Sequence, residues 1–136
     1  MTEQLSPLAL QALAVVEESG AIIGANHAHP HTIRHKGRID LVTETDIAVE
    51  AFLKERLATL APQAGFLAEE SAEDLSLPDT CWIIDPVDGT TNFAHGLPLT
   101  VTSVAYRLNG EIVLGIVNAP LLRECFIAEK GKGAWR

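Results

Sequence analysis

The sequence predicts an α+β fold in which two helices pack on a largely antiparallel sheet. Apolar residues recur at helical spacing in the first half of the chain, over residues 7–23 and 43–60. From residue 65 onward, the apolar residues instead form short runs that are typical of strands. Asn109 and Gly110 separate two of these runs, and an Asn-Gly pair in that position favours a tight hairpin. Helices followed by hairpin-linked strands are typical of an α+β domain.

The first predicted helix begins with a capping residue. Ser6 is the expected N-cap, and Pro7 suits the first helical position because its missing N–H has no partner there in any case. Gly24 and Asn26 are predicted to end the helix. Its apolar face is expected to hold Leu8, Ala12, Val15, Val16, Ser19, Ile22 and Ile23.

A polar, His-rich stretch separates the two helices. Residues 27–40 are predicted to form a loop or a loose hairpin. Residues 43–46 (Thr-Glu-Thr-Asp) have capping-box spacing and are predicted to open the second helix, which Pro62 ends. Its apolar face is expected to hold Val49, Phe52, Leu53, Leu57 and Leu60.

The predicted strands lie in the second half of the chain. The run at 81–84 is predicted to end at Asp85, because Pro86 lacks the N–H that a strand ladder requires. A turn is predicted at 131–133. The predicted strands are residues 65–68, 81–84, 100–108, 111–118 and 125–129.

Length and charge narrow the function classes. The 136 residues suit one domain, so residues 1–136 are treated as a single unit. The formal net charge of −8 argues against nucleic acid as a partner, because phosphate backbones are bound by clustered Lys and Arg. No uncharged apolar run is long enough to cross a bilayer, and no targeting segment is recognisable. We therefore expect no membrane partner and a cytoplasmic location.

The two cysteines favour the same compartment. Cys81 and Cys125 each lie in an apolar run, where a free thiol behaves as a small buried hydrophobe. Neither has the spacing of a metal site, and a reducing environment is expected. The chain stops at Arg136, shortly after the start of what should be another strand, so we expect it to be the N-terminal part of a longer protein.

The residues that indicate chemistry lie in the segment 82–93 (WIIDPVDGTTNF). A tight turn at Asp88 and Gly89 can direct the carboxylates of Asp85 and Asp88 to one point, which suits a hard cation. The N–H groups of Gly89 and Thr90, at the start of a predicted short helix, favour an anion such as phosphate. Cation and phosphate sites side by side suggest metal-assisted phosphoryl chemistry.

Simpler interpretations use the same residue types. An exposed Asx turn followed by a helix cap would explain Asp85 and Asp88 without any catalytic role, and this motif alone leaves that alternative open. Glu69 and Glu70 follow a predicted strand and could complete a metal cluster, but such a pair on its own is typical of a solvated surface. Asp46 is sufficiently explained as part of a helix cap.

Four segments, taken together, resemble the inositol monophosphatase family of lithium-sensitive, metal-dependent phosphatases. They are DLVTETD at 40–46, EES at 69–71, WIIDPVDGTTNFAHGLP at 82–98 and GKGAW at 131–135. The resemblance runs from the first helix to the last residue. It implies the N-terminal domain of such a phosphatase and hydrolysis that depends on Mg2+. Members are commonly homodimers, so the resemblance also allows a homodimer.

The resemblance also implies a role for each matching residue. Glu69 would bind a first metal ion together with Asp85 and the backbone carbonyl of Val87. Asp85 would bridge to a second metal ion, which Asp88 also holds. Thr90 would orient the attacking water with the help of Glu69.

Other matching residues would contact the substrate. The amides of Gly89 and Thr90 would hold the phosphate group. Asp46 and Lys36 would line the site as supporting or substrate-side groups. All-oxygen ligand sets favour Mg2+ over zinc.

The sequence departs from the family pattern at two points. Ala68 stands where the family usually has glycine, which matters only if the backbone there needs a positive φ. The family's second domain is absent, and with it a Trp-Asp motif whose Asp completes the second metal site. We therefore expect the 136-residue chain itself to be inactive or weakly active.

The expected substrate is a phosphate monoester of a small polyol or sugar, with myo-inositol monophosphate the leading candidate. Histidinol phosphate, fructose 1,6-bisphosphate and adenosine 3′,5′-bisphosphate remain open within the superfamily. The competing interpretation is a non-catalytic remnant that binds metal or dimerises.

Overall fold

The computed structural model describes residues 4–27, 35–68 and 78–136, with backbone alone for residues 35–41 and 68. It has the predicted α+β architecture. The described residues form two long helices and a third, short one between the second and third strands. The helices are α1 (Pro7–His27), α2 (His35–Leu60) and α3 (Thr90–Ala94), and a 3-10 turn covers Pro120–Leu122. The strands are β1 (Gly65–Ala68), β2 (Cys81–Asp88), β3 (Val101–Leu108), β4 (Glu111–Ala119), β5 (Glu124–Glu129) and β6 (Gly133–Trp135).

Within the described residues, six strands form one sheet in sequence order, β1 to β6. Only β1 and β2 run parallel to each other, and the remaining neighbours are antiparallel. The predicted hairpin between β3 and β4 is confirmed, since Asn109 and Gly110 form its two-residue turn with φ values of 51° and 84°. Positive φ at both positions is what such a turn requires.

The core lies between the two long helices and one face of the sheet. Alternate residues of β3 are buried, which leaves every second side chain on the helix side. The core includes Val16 and Ile23 of α1 as well as sheet residues that are almost fully buried. The central members from α2 and the sheet are Val49, Leu53, Leu57, Trp82, Ile84, Val104 and Ile116.

The predicted N-cap of α1 is confirmed. The N–H of Ala9 donates to Oγ of Ser6 at 3.1 Å. The N–H and the hydroxyl of Ser6 in turn donate to the two carboxylate oxygens of Glu129, at 2.8 Å and 2.5 Å. The cap therefore ties the start of the first helix to the end of β5.

The predicted end of α1 was wrong, because the helix continues through Gly24 and Asn26 to His27. Nδ2 of Asn26 donates to Oγ1 of Thr45 at 2.6 Å, and Thr45 is fully buried. A contact with the neighbouring helix thus outweighs the local preference of these residues for a helix end.

The predicted start of α2 was also wrong. The helix begins at His35, so residues 35–40 are helical and the segment 43–46 lies inside the helix. Capping-box spacing is a local pattern that interior helix residues can share. The burial of Thr45 against α1 fixes this turn within the helix, not at its end.

One helix within the described residues, α1, is long and apolar enough to cross a membrane by length and composition alone. In the fold, 39% of that window is buried inside the protein. A core helix of a globular domain passes the same test, so this property does not assign α1 to a membrane.

Candidate metal and phosphate site

The parallel pairing of β1 with β2 brings two strand ends to the same edge of the sheet. Ala68, the last residue of β1, pairs with Ile84, and Asp85 follows Ile84 directly. In α/β arrangements, ligands bind beyond the carboxyl ends of parallel strands. Glu69, the residue after Ala68 and a predicted metal ligand, lies outside the described residues.

The prediction that β2 ends at Asp85 was wrong. The strand continues through Pro86 to Asp88 by way of a β-bulge, because Asp85 pairs with Ser103 while Asp88 pairs with Val101. A bulge is one of the few places where a strand accepts proline, whose missing N–H then costs no ladder hydrogen bond.

The bulge is held by a side chain of the neighbouring strand. Thr102 is the only residue of β3 between those two pairs, and it faces both Pro86 and Val87. Its hydroxyl donates to the carbonyl oxygen of Pro86 at 2.9 Å. Thr102 was not predicted as a site residue, because a threonine in a strand is ordinary and no motif marks it.

The two aspartates of the bulge differ in exposure. Asp85 is half-buried and its Oδ1 is shielded from solvent, whereas Asp88 is exposed. Val87 between them is only 2% exposed. The bulge therefore places Val87 in the core, the carboxylate of Asp85 in a half-buried position and that of Asp88 at the surface.

The turn after β2 requires glycine. Gly89 has φ of 91°, a left-handed conformation, and a Cβ there would lie 2.7 Å from the carbonyl oxygen of Leu99. Nδ2 of Asn92 donates to the same carbonyl at 3.0 Å. The predicted short helix follows as α3, which begins at the exposed Thr90 and is anchored by the buried Phe93.

His27 connects α1 to this region, which the sequence analysis did not predict. Its Nε2 donates a hydrogen bond to the carbonyl oxygen of Gly96 at 3.0 Å. Its ring lies 6.0 Å from the ring of Phe93, measured between centroids. The end of the first helix thus supports the segment that follows the Asp85–Asp88 bulge.

Asp46 and Lys36, the predicted supporting residues, both belong to α2, which packs against β2 and α3. Asp46 is half-buried and its Oδ1 is shielded from solvent. The side chain of Lys36 is outside the described part of the chain, so its predicted role remains a prediction.

The chemistry of the available ligands fits a hard divalent cation. Asp85, Asp88 and the carbonyl of Val87 offer only oxygen, the donor atom that Mg2+ prefers. Within residues 4–27, 42–67 and 78–136, no group of three His, Cys, Asp or Glu side chains is placed to hold a metal ion. The predicted third carboxylate, Glu69, is not among those residues.

The two cysteines are free thiols, of which Cys81 is buried and Cys125 half-buried. Cys81 is fully buried, and burial raises the pKa of its thiol while the nearby Arg107 lowers it. The pKa of Cys125 is raised to about 11, first by burial and then by the charge of Glu17, while a hydrogen bond from the amide of Phe126 lowers it. Thiols that are harder to ionise than usual do not suit metal binding or nucleophilic attack.

The sequence profile of the inositol monophosphatase family matches residues 4–136, which is nearly the whole chain. The chain belongs to the inositol monophosphatase family. The enzymes of this family are phosphatases. The predicted resemblance is confirmed by this match and by the following relatives.

Three relatives illustrate the match. An inositol monophosphatase of Dictyostelium discoideum is 44% identical over 128 residues, which cover 91% of this chain and 47% of that protein. A fructose-1,6-bisphosphatase/inositol-1-monophosphatase of Thermotoga maritima is 44% identical over 96 residues, which cover 71% of this chain and 37% of that protein. The crystal structure of the extragenic suppressor protein suhB of Bartonella henselae superimposes with a TM-score of 0.78 at 33% identity. The superposition covers 96% of this chain and 51% of that chain. The chain thus spans about half the length of the first and third of these proteins and just over a third of the second.

The departure of Ala68 from the family's usual glycine is harmless in this fold. Ala68 lies in β1, and the described non-glycine residues with positive φ are Asn109 and Arg123. An extended backbone accepts alanine as readily as glycine.

Proposed function

We propose that this chain forms the metal- and phosphate-binding half of a Mg2+-dependent phosphatase that hydrolyses a phosphate monoester of a small polyol or sugar. The observation that carries the proposal is the parallel pairing of β1 with β2. It brings the strand end that precedes Glu69 beside the bulge that holds Asp85 and Asp88.

Three carboxylates and one carbonyl would hold the metal ions. Glu69, Asp85 and the carbonyl of Val87 are the proposed ligands of the first ion, and Asp85 and Asp88 of the second. A pair of ions held by these residues would supply a water of lowered pKa and would stabilise the charge on the leaving oxygen. Phosphate monoesters hydrolyse extremely slowly without a catalyst, so several fixed charges are needed.

The remaining residues would position the substrate and the water. Glu69 and the hydroxyl of Thr90 would orient the attacking water towards phosphorus. The N–H groups of Gly89 and Thr90 would donate to the phosphate oxygens, and the fixed left-handed turn at Gly89 supports that arrangement. Asp46 and Lys36 would line the substrate side.

The leading substrate is myo-inositol monophosphate. The continuation FAHGLP at 93–98 and the Dictyostelium relative favour it. The name of the Thermotoga relative makes fructose 1,6-bisphosphate the main alternative, and histidinol phosphate and adenosine 3′,5′-bisphosphate are further ones. A cytoplasmic location and a homodimer belong to the same proposal.

Phosphate release by a protein that joins this chain to the family's second half tests the proposal. With Mg2+, the protein should release phosphate from myo-inositol monophosphate, and Li+ should inhibit it. Asp85→Asn should remove nearly all turnover, whereas Asp79→Asn, at an exposed position before β2, should not. Full turnover in Asp85→Asn would overturn the assigned ligand set.

The non-catalytic alternative rests on the observation that the chain spans about half the length of relatives such as the Dictyostelium protein. It predicts that the 136-residue chain binds Mg2+ weakly and releases no phosphate. The proposed function predicts the same for this chain alone, so the joined protein separates the two.

A further inference from the structure

We infer that Thr102 is a positioning residue for the proposed metal site, acting through the Pro86 carbonyl at the centre of the β2 bulge. This inference rests on the proposed function, because it concerns the residues that would hold the metal ions. The hydroxyl of Thr102 binds the Pro86 carbonyl, which is not a predicted metal ligand. Its effect is on the backbone that carries the predicted ligands.

The register of the sheet explains why a side chain is needed at this point. Between the pairs Asp85–Ser103 and Asp88–Val101, two residues of β2 face Thr102 alone. A regular ladder has no place for both of them, and the extra residue of a bulge is left unpaired. The hydroxyl of Thr102 donates a hydrogen bond to the carbonyl oxygen of Pro86 at 2.9 Å.

That hydrogen bond lies between the two carboxylates. The carbonyl of Pro86 shares a peptide plane with the nitrogen of Val87, and peptide planes are rigid. Fixing the carbonyl therefore fixes the direction in which the chain leaves Pro86. Asp85 precedes this plane and Asp88 follows it, so the relative placement of the two side chains depends on it.

Burial makes the hydroxyl hard to replace. Thr102 is fully buried and Pro86 is buried. Thr102 is also paired with Asn118 in β4, so it belongs to the interior of the sheet and not to an edge. Because the site is buried, solvent cannot replace the hydroxyl as the hydrogen-bond donor to the Pro86 carbonyl. A buried carbonyl without a donor is unfavourable, so the bulge is expected to rearrange.

Thr100 provides a matched control two residues away. It is also fully buried, but its hydroxyl has no hydrogen-bond partner within the described part of the chain. Valine has nearly the shape of threonine, so Thr100→Val and Thr102→Val each remove one buried hydroxyl. Only the second removes a hydrogen bond to the bulge.

Two measurements on the 136-residue chain test the inference, with Mn2+ as the probe ion. Backbone NMR shifts of residues 85–89, including the Pro86 carbonyl carbon, report the geometry of the bulge without metal. Mn2+ titration measures how this geometry affects the affinity for the metal ion. Thr102→Val should shift these resonances and weaken Mn2+ binding about 10-fold, the usual cost of losing a support of a metal ligand. Thr102→Ser, which keeps the hydroxyl, should restore both.

Thr100→Val should leave the shifts of residues 85–89 and the Mn2+ affinity as in the unmodified chain. Unchanged shifts in Thr102→Val, or equal losses of affinity in both valine variants, would overturn the positioning role. An unmodified chain that binds no Mn2+ at all would count against the proposed function instead. In that case the shift comparison still decides whether Thr102 sets the bulge.

Discussion

The carbonyl oxygen of Leu99 lies 2.7 Å from the point where a Cβ on Gly89 would stand. This approach, together with the left-handed φ of 91°, makes Gly89 a position that no L side chain fits. The turn that joins the Asp85–Asp88 bulge to α3 therefore depends on one residue and on the backbone that faces it.

Gly89→Ala should destabilise the fold by about 3 kcal/mol, because it adds a steric clash with backbone to an unfavourable φ. Gly96→Ala is the control. Its φ of 75° is also left-handed, but nothing lies within 4 Å of its added Cβ, so a cost of about 1 kcal/mol is expected. Urea denaturation measures both. Equal losses would show that the Leu99 carbonyl moves away at no cost.

The link between Ser6 and Glu129 should contribute measurably to stability. Glu129→Ala removes both hydrogen bonds to Ser6 at the start of α1 and should cost about 2 kcal/mol. Glu111→Ala, which removes an exposed ion pair with Lys130, should cost less than about 1 kcal/mol. If thermal denaturation gave the two variants the same loss, the cap would not be coupled to the sheet.

The thiol of Cys125 should ionise only at strongly alkaline pH. Its pKa is raised to about 11 from 9.0, so the folded state keeps the proton that the unfolded state loses. The resulting stabilisation is complete below about pH 9 and disappears as the pH rises towards 11. Iodoacetamide alkylation of the folded Cys125, followed by peptide mass mapping, should show a rate midpoint near pH 11.

Glu17 is one cause of that shift, so Glu17→Gln should lower the alkylation midpoint. Glu18→Gln removes the same charge from the neighbouring residue, which is paired with Arg56, and should leave the midpoint unchanged. A midpoint near 9 in the unmodified protein would contradict the burial of the thiol.

The sequence predicted those features that local chemistry decides. Asn109 and Gly110 dictate their hairpin because both accept a positive φ, and Ser6 caps α1 because its hydroxyl reaches the first free amides. The left-handed turn at Gly89 and the short helix after it were also predicted from neighbouring residue types, although the Leu99 carbonyl faces the turn. For the hairpin and the cap, the decisive partner lies within a few residues in the chain.

The features that were missed depend on distant partners. Pro86 stays within β2 because Thr102, sixteen residues away, satisfies its carbonyl, and no local pattern reports that. Thr45 lies inside α2 because it is buried against Asn26 of α1. Of the candidate site, Asp85 and Asp88 were predicted from one motif and the Val87 carbonyl from the family resemblance, and the three residues lie together on one bulge. Glu69 came from a second motif and lies outside the described residues.

The convergence of Glu69, Asp85 and Asp88 on two adjacent cation sites is the central proposal. It is tested most directly by crystals of this chain grown with Mn2+ and phosphate, in which anomalous scattering locates the metal. We expect two peaks, one about 2.1 Å from oxygens of Glu69 and Asp85 and the other about 2.1 Å from oxygens of Asp85 and Asp88, the distance typical of Mg2+-like coordination. A map with no peak at the β2 bulge, or with Glu69 turned away from Asp85 and from every peak, would contradict the proposal.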